Sequence, residues 1–120
     1  KAILDDTKIE MMKFLKFNNI KICCYTNSIR MTAELALKNI GVFEYLDLLI
    51  TNQDVQKCKP DPEGYILCCD KLKIDKSDAI ILEDSDKGIE AAKLSGIKFI
   101  RVNNATDVNL RLLEGIIWKF

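Results

Sequence analysis

The sequence predicts an α/β fold in which a parallel β-sheet is covered by helices on both faces. Four short apolar runs occur along the chain, and each is nearly continuous, as is typical of strands buried on both sides. Segments with helical spacing of apolar residues separate these runs, and such alternation favours parallel strands joined by right-handed crossovers. The length of 120 residues, 48% of them hydrophobic and 30% charged, suits one domain over 1–120.

The individual elements follow from these apolar patterns. The predicted strands are 21–25 (KICCY), 46–51 (LDLLIT), 79–83 (AIILE) and 98–102 (KFIRV). The predicted helices are 7–18, 30–39, 62–72, 85–95 and a last one from Thr106 or Asp107 to Leu113. Gly41 and Gly96 are placed to end the second and fourth helices. Asp61 is placed to cap the third helix, with Pro62 at its first position.

Charge and composition exclude several classes of protein. Lys+Arg and Asp+Glu both number 18, so the net charge is zero and a nucleic-acid binder is disfavoured. No apolar run approaches the roughly 18 residues of a membrane span, and the first residues lack the apolar stretch of a signal peptide. We therefore expect a cytoplasmic protein that binds neither nucleic acid nor membrane.

Cysteine and histidine usage narrows the chemistry further. The five cysteines are at positions 23, 24, 58, 68 and 69, and there is no histidine. Four thiolates at these spacings are an unfavourable zinc site, so we expect buried, reduced thiols that behave as small apolar residues. Without histidine, the Ser-His-Asp and Cys-His nucleophile schemes are excluded.

Polar residues follow three of the predicted strands at their carboxyl ends, where open parallel sheets bind ligands. Thr26, Asn27 and Ser28 come after the first strand and just before a helix, which favours an anion site built from a hydroxyl and free N–H groups. The competing interpretation is that Asn27 or Ser28 is simply the N-cap of that helix.

Lys59 belongs to the loop after the second strand, two residues after Lys57 and directly before Pro60. A lysine held at the mouth of a strand-end crevice can neutralise a phosphate, and proline pushes its backbone toward extended geometry. The alternative is an ordinary solvated lysine of a loop.

Glu83 and Asp84 end the third strand just before a helix, and paired carboxylates there can hold Mg²⁺ through their oxygens. The alternative is an acidic N-cap, a role that Asp86 fits better than Asp84. Gly88 lies inside the next helix, where glycine is unfavourable, and a close approach of backbone at that turn would explain it. A hydroxyl, a lysine and a carboxylate pair after three successive strands together favour phosphoryl transfer.

Several segments resemble the haloacid dehalogenase-like (HAD) hydrolases, in particular the β-phosphoglucomutase and phosphoglycolate phosphatase branch. They are YTNS at 25–28, KPDPE at 59–63, ILEDS at 81–85, and GI and AA at 88–89 and 91–92. The resemblance implies a three-layer Rossmann-like core and a Mg²⁺-dependent phosphatase or phosphomutase that acts on a small phosphorylated metabolite.

The same resemblance implies a role for each matching residue. The Thr26 hydroxyl, with the Asn27 backbone, would bind the transferring phosphoryl group. Lys59 would stabilise charge on the nucleophile and the phosphate, so Thr26 and Lys59 are the expected catalytic residues. Glu83 and Asp84 would hold Mg²⁺, with Asp84 the stronger candidate because the glutamate position varies within the branch.

One departure from the family is large, because its first motif, DxDGT after an N-terminal strand, is absent. That motif supplies the nucleophilic aspartate, and Asp5 and Asp6 are poor substitutes because no strand of adequate length precedes them. The family's first strand, central in the sheet, and its cap domain are missing too. Without that strand, its neighbours ending at Thr26 and Glu83 either close up or leave backbone groups unpaired.

We therefore expect the C-terminal portion of a HAD core that is inactive alone, because its nucleophile lies outside this chain. The remaining HAD segment would lie upstream or arrive from another chain. Two alternatives stay open. The first is a non-catalytic HAD-like domain for binding or assembly, with the gap in its sheet filled by strand addition. The second is a receiver-like phosphoacceptor domain, which offers no reason for the KPDPE segment.

Overall fold

A computed structural model of the chain describes residues 6–103, 109 and 111–113. It confirms the α/β class. The helices are α1 (Asp6–Phe17), α2 (Arg30–Asn39), α3 (Glu63–Leu72) and α4 (Asp86–Ser95). The strands are β1 (Cys23–Tyr25), β2 (Leu48–Ile50), β3 (Ile80–Glu83) and β4 (Lys98–Arg101). Asp5 and the predicted start of a fifth helix at Thr106 or Asp107 lie outside the described residues, and 111–113 are helical.

The strands form two parallel pairs. β1 pairs with β2, with Tyr25 opposite Ile50, and β3 pairs with β4, with Glu83 opposite Arg101. Among the described residues no strand hydrogen-bonds to both pairs, so β1 and β3 do not close up. Of the two outcomes left open by the sequence, the structure has the one in which these strands stay apart.

The two faces of β3 pack against different helices, which explains the three layers. Ile81 joins a core cluster with Tyr65 of α3 and Ala91 and Ala92 of α4. The next residue, Leu82, packs against the cluster formed around Met11 and Leu15 of α1. Because successive side chains of a strand point to opposite faces, one apolar strand is covered by helices on both sides.

Helix α2 begins without the side-chain cap that the sequence suggested. Its N-cap residue is Ile29, which makes no side-chain cap hydrogen bond. Instead, Gln53 from the loop after β2 accepts the Arg30 N–H through Oε1 at 2.8 Å. The interpretation of Asn27 or Ser28 as the N-cap is therefore wrong, and these residues are not committed to capping.

The starts of α3 and α4 also differ from expectation by one residue. Pro62, not Asp61, is the N-cap residue of α3, although the Asp61 carboxylate still accepts the Glu63 N–H at 2.9 Å. Ser85, not Asp86, caps α4, because its hydroxyl accepts a backbone N–H of the first turn at 3.0 Å. A hydroxyl satisfies one of the unpaired N–H groups of a helix start as well as a carboxylate does.

The five cysteines are free thiols. Cys23 of β1 and Cys68 of α3 are close enough for their sulfur atoms to lie 2.8 Å apart. Over residues 6–103, 109 and 111–113, three or more cysteine, aspartate or glutamate side chains nowhere gather as a metal site. In the same part of the chain, no helix has the length and apolar character needed to cross a membrane.

Candidate active site

A cleft of about 560 Å³ opens between the carboxyl ends of β1 and β3. The five residues singled out from the sequence all line it. They are Thr26, Asn27, Lys59, Glu83 and Asp84. We expected these residues to lie close together because the carboxyl ends of parallel strands share one edge of a sheet. The structure brings them to one cleft, and their individual roles stay predictions.

Lys59 joins the two strand pairs across this cleft. Its Nζ lies 2.9 Å from Glu83 Oε2 at the end of β3 and 3.2 Å from the Tyr25 carbonyl oxygen at the end of β1. The Lys59 side chain is only 11% exposed, so it is not a solvated loop lysine. An ammonium group has three N–H donors. Two find these acceptors, and among the described residues the third has none.

The loop that carries Lys59 is held on both sides. The Lys59 N–H donates to Asn27 Oδ1 at 3.3 Å, which ties this loop to the segment after β1. The Lys59–Pro60 peptide bond is cis. The Glu63 carboxylate of α3 accepts the Lys57 N–H at 3.1 Å. The ammonium group therefore enters the cleft from a loop whose backbone is anchored to both of its neighbours.

Two tyrosine rings surround the Lys59 ammonium, and the sequence argument had not singled out either. Nζ lies over the Tyr25 ring at 4.7 Å and the Tyr65 ring at 5.4 Å from their centroids. The rings themselves meet edge to face at 5.2 Å. Gly64 was the available signal, because a Cβ there would overlap the Tyr25 ring. A glycine in the first turn of a helix can thus mark a place where another group comes close.

Glu83 is held by five hydrogen bonds. Its Oε2 accepts from Tyr65 Oη at 2.6 Å and Lys59 Nζ at 2.9 Å. Its Oε1 accepts from the Asp84 N–H, the Ser85 N–H and the Ser85 hydroxyl at 3.0–3.1 Å. A carboxylate has about four lone-pair sites, so these donors occupy its full capacity. These contacts hold Glu83 against Lys59, and its expected role as a metal ligand stays a prediction.

The same contacts explain the ionisation of Glu83. Burial opposes the charged form, but hydrogen bonds from Tyr65 and Lys59, with the Lys59 charge, outweigh it and lower the pKa of Glu83 from 4.5 to about 2. The group is therefore a fixed negative charge at neutral pH. Its charge forms an ion pair with the Lys59 ammonium group at 2.9 Å, and both side chains are largely buried.

Asp84 differs from Glu83 although the two are adjacent. Its side chain is exposed at the cleft and makes no hydrogen bond or ion pair with the described residues. Asp84 can therefore offer both carboxylate oxygens to a ligand. A single free carboxylate fits Mg²⁺, which often binds one or two carboxylates and completes its shell with water and phosphate oxygens.

Thr26 and Asn27 leave polar groups available at the other side of the cleft. The Thr26 N–H continues the strand ladder by donating to the Ile50 carbonyl at 3.0 Å. The Thr26 hydroxyl oxygen accepts the Ser28 N–H at 3.1 Å, so its own proton remains to be donated. A hydroxyl group and a lysine that line the same cleft suit a ligand with several acceptor oxygens.

Comparisons with known proteins identify the family of this chain. The sequence profile of the haloacid dehalogenase-like hydrolases matches residues 5–102. The validoxylamine A 7′-phosphate phosphatase of Streptomyces hygroscopicus subsp. limoneus is 38% identical over 118 residues, 98% of this chain and 55% of that protein. The phosphorylated carbohydrates phosphatase of Thermotoga maritima is 33% identical over 91 residues, 76% of this chain and 42% of that protein.

A solved structure adds the fold. The crystal structure of a HAD phosphatase from Thermococcus onnurineus superimposes with a TM-score of 0.81 at 24% identity, covering 92% of this chain and 56% of that one. The chain spans about half the length of the curated relatives it matches. The family profile, the relatives and the cleft lead to one assignment: the chain belongs to the haloacid dehalogenase-like hydrolases.

Proposed function

We propose that this chain forms the phosphate-binding part of the active site of a Mg²⁺-dependent phosphatase or phosphomutase. The observation that carries the proposal is the Lys59 ammonium group. It lies across the cleft between β1 and β3, paired with Glu83 and hydrogen-bonded to the Tyr25 carbonyl oxygen, and among the described residues its third N–H has no acceptor. The Thr26 hydroxyl and the Asp84 carboxylate line the same cleft.

Each residue then has a distinct task. The Thr26 hydroxyl and the Asn27 backbone hold phosphoryl oxygens, which orients the phosphorus for attack. Lys59 neutralises the negative charge that redistributes over those oxygens in the transition state. Because its ammonium group is already held in place, the free energy needed to reorganise it is small. Among the described residues that line the cleft, Asp84 is the only aspartate. We therefore propose that the nucleophilic aspartate comes from outside this chain.

In this scheme that aspartate attacks phosphorus, the ester oxygen leaves as an alcohol, and water then hydrolyses the acyl phosphate. The supplier is an upstream segment or another chain. Asp84 would hold Mg²⁺, whose chemistry is to neutralise phosphoryl oxygens. In this proposal Glu83 does not coordinate the metal directly, because its carboxylate oxygens already accept five hydrogen bonds from groups of the chain.

A phosphorylated carbohydrate metabolite is the proposed substrate class. The support comes from the relatives, one named for validoxylamine A 7′-phosphate and the other for phosphorylated carbohydrates. A third relative, the fructose-1-phosphate phosphatase YqaB of Escherichia coli, is 30% identical over 77 residues, 64% of this chain and 41% of that protein. All three names specify a phosphorylated compound, and two of them specify a carbohydrate.

The test compares two polypeptides: this chain, and the product of the complete reading frame that encodes it. Release of phosphate from sugar phosphates is measured with and without Mg²⁺. We expect turnover by the complete polypeptide in Mg²⁺ and none above background by the 120-residue chain, since anion binding cannot replace a nucleophile. Turnover by the chain that Asp6→Asn abolishes would show that the nucleophile had been misassigned.

A second candidate function is a non-catalytic domain for binding or assembly. The observation that favours it is the separation of the two strand pairs, which leaves the facing edges of β1 and β3 unpaired among the described residues. An extended segment could add there as a strand. Titration of the chain with inorganic phosphate separates the two functions. Shifts of the Thr26 and Asn27 amide resonances support the enzyme, and an unchanged spectrum supports the binding domain.

A further inference from the structure

We infer that Tyr25 and Tyr65 are positioning residues for Lys59, and that together with Glu83 they set where its ammonium group lies in the cleft. The inference rests on the proposed function of Lys59 in phosphate binding. Tyr25 lines the cleft, and Tyr65 is not among the described residues that line it. In this inference both act on the ligand through Lys59.

The rings act first through their faces. Nζ lies over both rings, at 4.7 Å from the Tyr25 centroid and 5.4 Å from that of Tyr65. A cation over an aromatic face is attracted by the ring quadrupole, and more strongly where water is excluded. With the side chain of Lys59 only 11% exposed, this attraction is poorly screened. The rings hold the charge without using any of its N–H donors.

Holding the ammonium group of Lys59 without using its N–H donors matters for binding phosphate. Glu83 and the Tyr25 carbonyl take two N–H groups of Lys59, so a third polar partner would leave none for a ligand. Aromatic faces confine the ammonium group and keep its last donor available. The two rings are themselves fixed, edge to face at 5.2 Å.

Tyr65 has a second action, through its hydroxyl. Tyr65 Oη donates to Glu83 Oε2 at 2.6 Å, and this is the oxygen that Lys59 also contacts. Tyr65 thus fixes the carboxylate oxygen against which the Lys59 ammonium group is held. Tyr25 Oη is buried and meets no hydrogen-bond partner among the described residues, so Tyr25 acts through its ring alone.

The experiment uses the 120-residue chain, NMR and inorganic phosphate as the probe. The first readout does not depend on the proposed function. Protons held over aromatic faces are shifted upfield, so the ε-methylene resonance of Lys59 should lie upfield of those of the other lysines. Tyr25→Leu should remove much of this shift, and Tyr25→Phe should keep it.

The second readout is the dissociation constant for phosphate. Tyr25→Leu should raise it roughly 3- to 10-fold, the range of a partly desolvated cation–π contact. Tyr25→Phe should restore the wild-type value, because the ring is kept and the hydroxyl has no partner to lose. Tyr65→Phe should weaken phosphate binding while the fold persists, because the carboxylate beside Lys59 loses the hydroxyl that fixes it.

The outcomes separate the two proposals. An upfield Lys59 resonance that responds to Tyr25→Leu, in a chain that binds no phosphate, supports the positioning role and overturns the proposed function. An unshifted Lys59 resonance, or equal phosphate affinity in Tyr25→Leu and wild type, overturns the positioning role. Fluorinated phenylalanines at position 25 keep the ring shape and weaken its quadrupole, so they give the same answer if Tyr25→Leu does not fold.

Discussion

The carboxylate of Glu83 lies against the α-carbon of Gly88, in the space that a Cβ at that position would occupy. Gly88 is buried in the first turn of α4. Glycine is unfavourable inside a helix, but at this position it lets α4 pack closely against the Glu83 carboxylate. The sequence suggested a close approach of backbone at this turn, and the group that comes close to Gly88 is the Glu83 side chain.

Gly88→Ala should destabilise the chain despite the better helix propensity of alanine. Alanine contributes about 1 kcal/mol in a helix interior, but here its methyl group would displace a carboxylate held by five hydrogen bonds. We expect a net loss of about 1–3 kcal/mol in the free energy of unfolding, measured by urea denaturation.

A double-mutant cycle supplies the control for this prediction. In a Glu83→Ala background the carboxylate is absent, so Gly88→Ala should become neutral or stabilising as helix propensity takes over. Equal effects of Gly88→Ala in both backgrounds would show that the contact with Glu83 is not what requires glycine.

The stability of the fold should fall in acid because of Glu83. Its pKa is lowered from 4.5 to about 2, with burial opposed by the hydrogen bonds from Tyr65 and Lys59 and by the Lys59 charge. Because the folded pKa lies below the unfolded one, this stabilisation is complete above about pH 4.5 and is lost as the pH falls toward 2. Its full size is on the order of 3 kcal/mol.

Denaturation curves between pH 3 and 6 (about one unit either side of an ordinary glutamate) measure this contribution. Glu83→Gln should be less stable than wild type at the upper end of this range, and the difference should shrink as the pH falls. Parallel pH profiles for the two proteins would mean that Glu83 does not carry the acid sensitivity.

Lys59→Met should reduce both activity and stability. In the complete polypeptide we expect kcat to fall on the order of 10²-fold, as for loss of one preorganised electrostatic partner. A lysine at a crevice mouth would contribute little to stability, but Lys59 is 11% exposed and paired to a buried carboxylate. Its removal leaves Glu83 without its counter-charge, at a cost of about 3 kcal/mol.

Lys57→Met is the matched control, because Lys57 is exposed and two residues away on the same loop. It should keep near wild-type activity and stability. Steady-state kinetics with a sugar phosphate, on proteins shown to be folded by circular dichroism, compare the two variants. If both lysine variants were equally active, Lys59 would have no special part in binding phosphate.

Mg²⁺ should bind this chain only weakly. Asp84 offers one free carboxylate, and Glu83 has no oxygen to spare, so most of the coordination shell would be water. Calorimetry should detect weak binding that Asp84→Asn removes and that phosphate strengthens. Asp86→Asn is the control, since Asp86 pairs with Arg101 at 2.8 Å. Micromolar affinity of the wild-type chain would contradict the single-carboxylate argument.

Much of the site was accessible from the sequence because parallel topology determines which residues meet. Thr26, Lys59 and Asp84 are distant along the chain, but each follows a short apolar run. Once these runs are recognised as parallel strands, the residues after them must share one edge of the sheet. The α/β class and the two glycine helix stops at Gly41 and Gly96 were likewise predictable from local patterns.

The partners of each residue were decided by tertiary structure. Nothing local in the sequence shows that Tyr25 and Tyr65 enclose Lys59, because their distance depends on how α3 packs against β1. Tertiary structure also distinguishes Glu83 from Asp84, although they are adjacent in the sequence. Glu83 is buried and accepts five hydrogen bonds, whereas Asp84 is exposed. Apolar periodicity and turn chemistry act over a few residues and so determine elements and their order. Hydrogen bonding and ionisation depend on which groups packing brings together, and only the folded chain determines that.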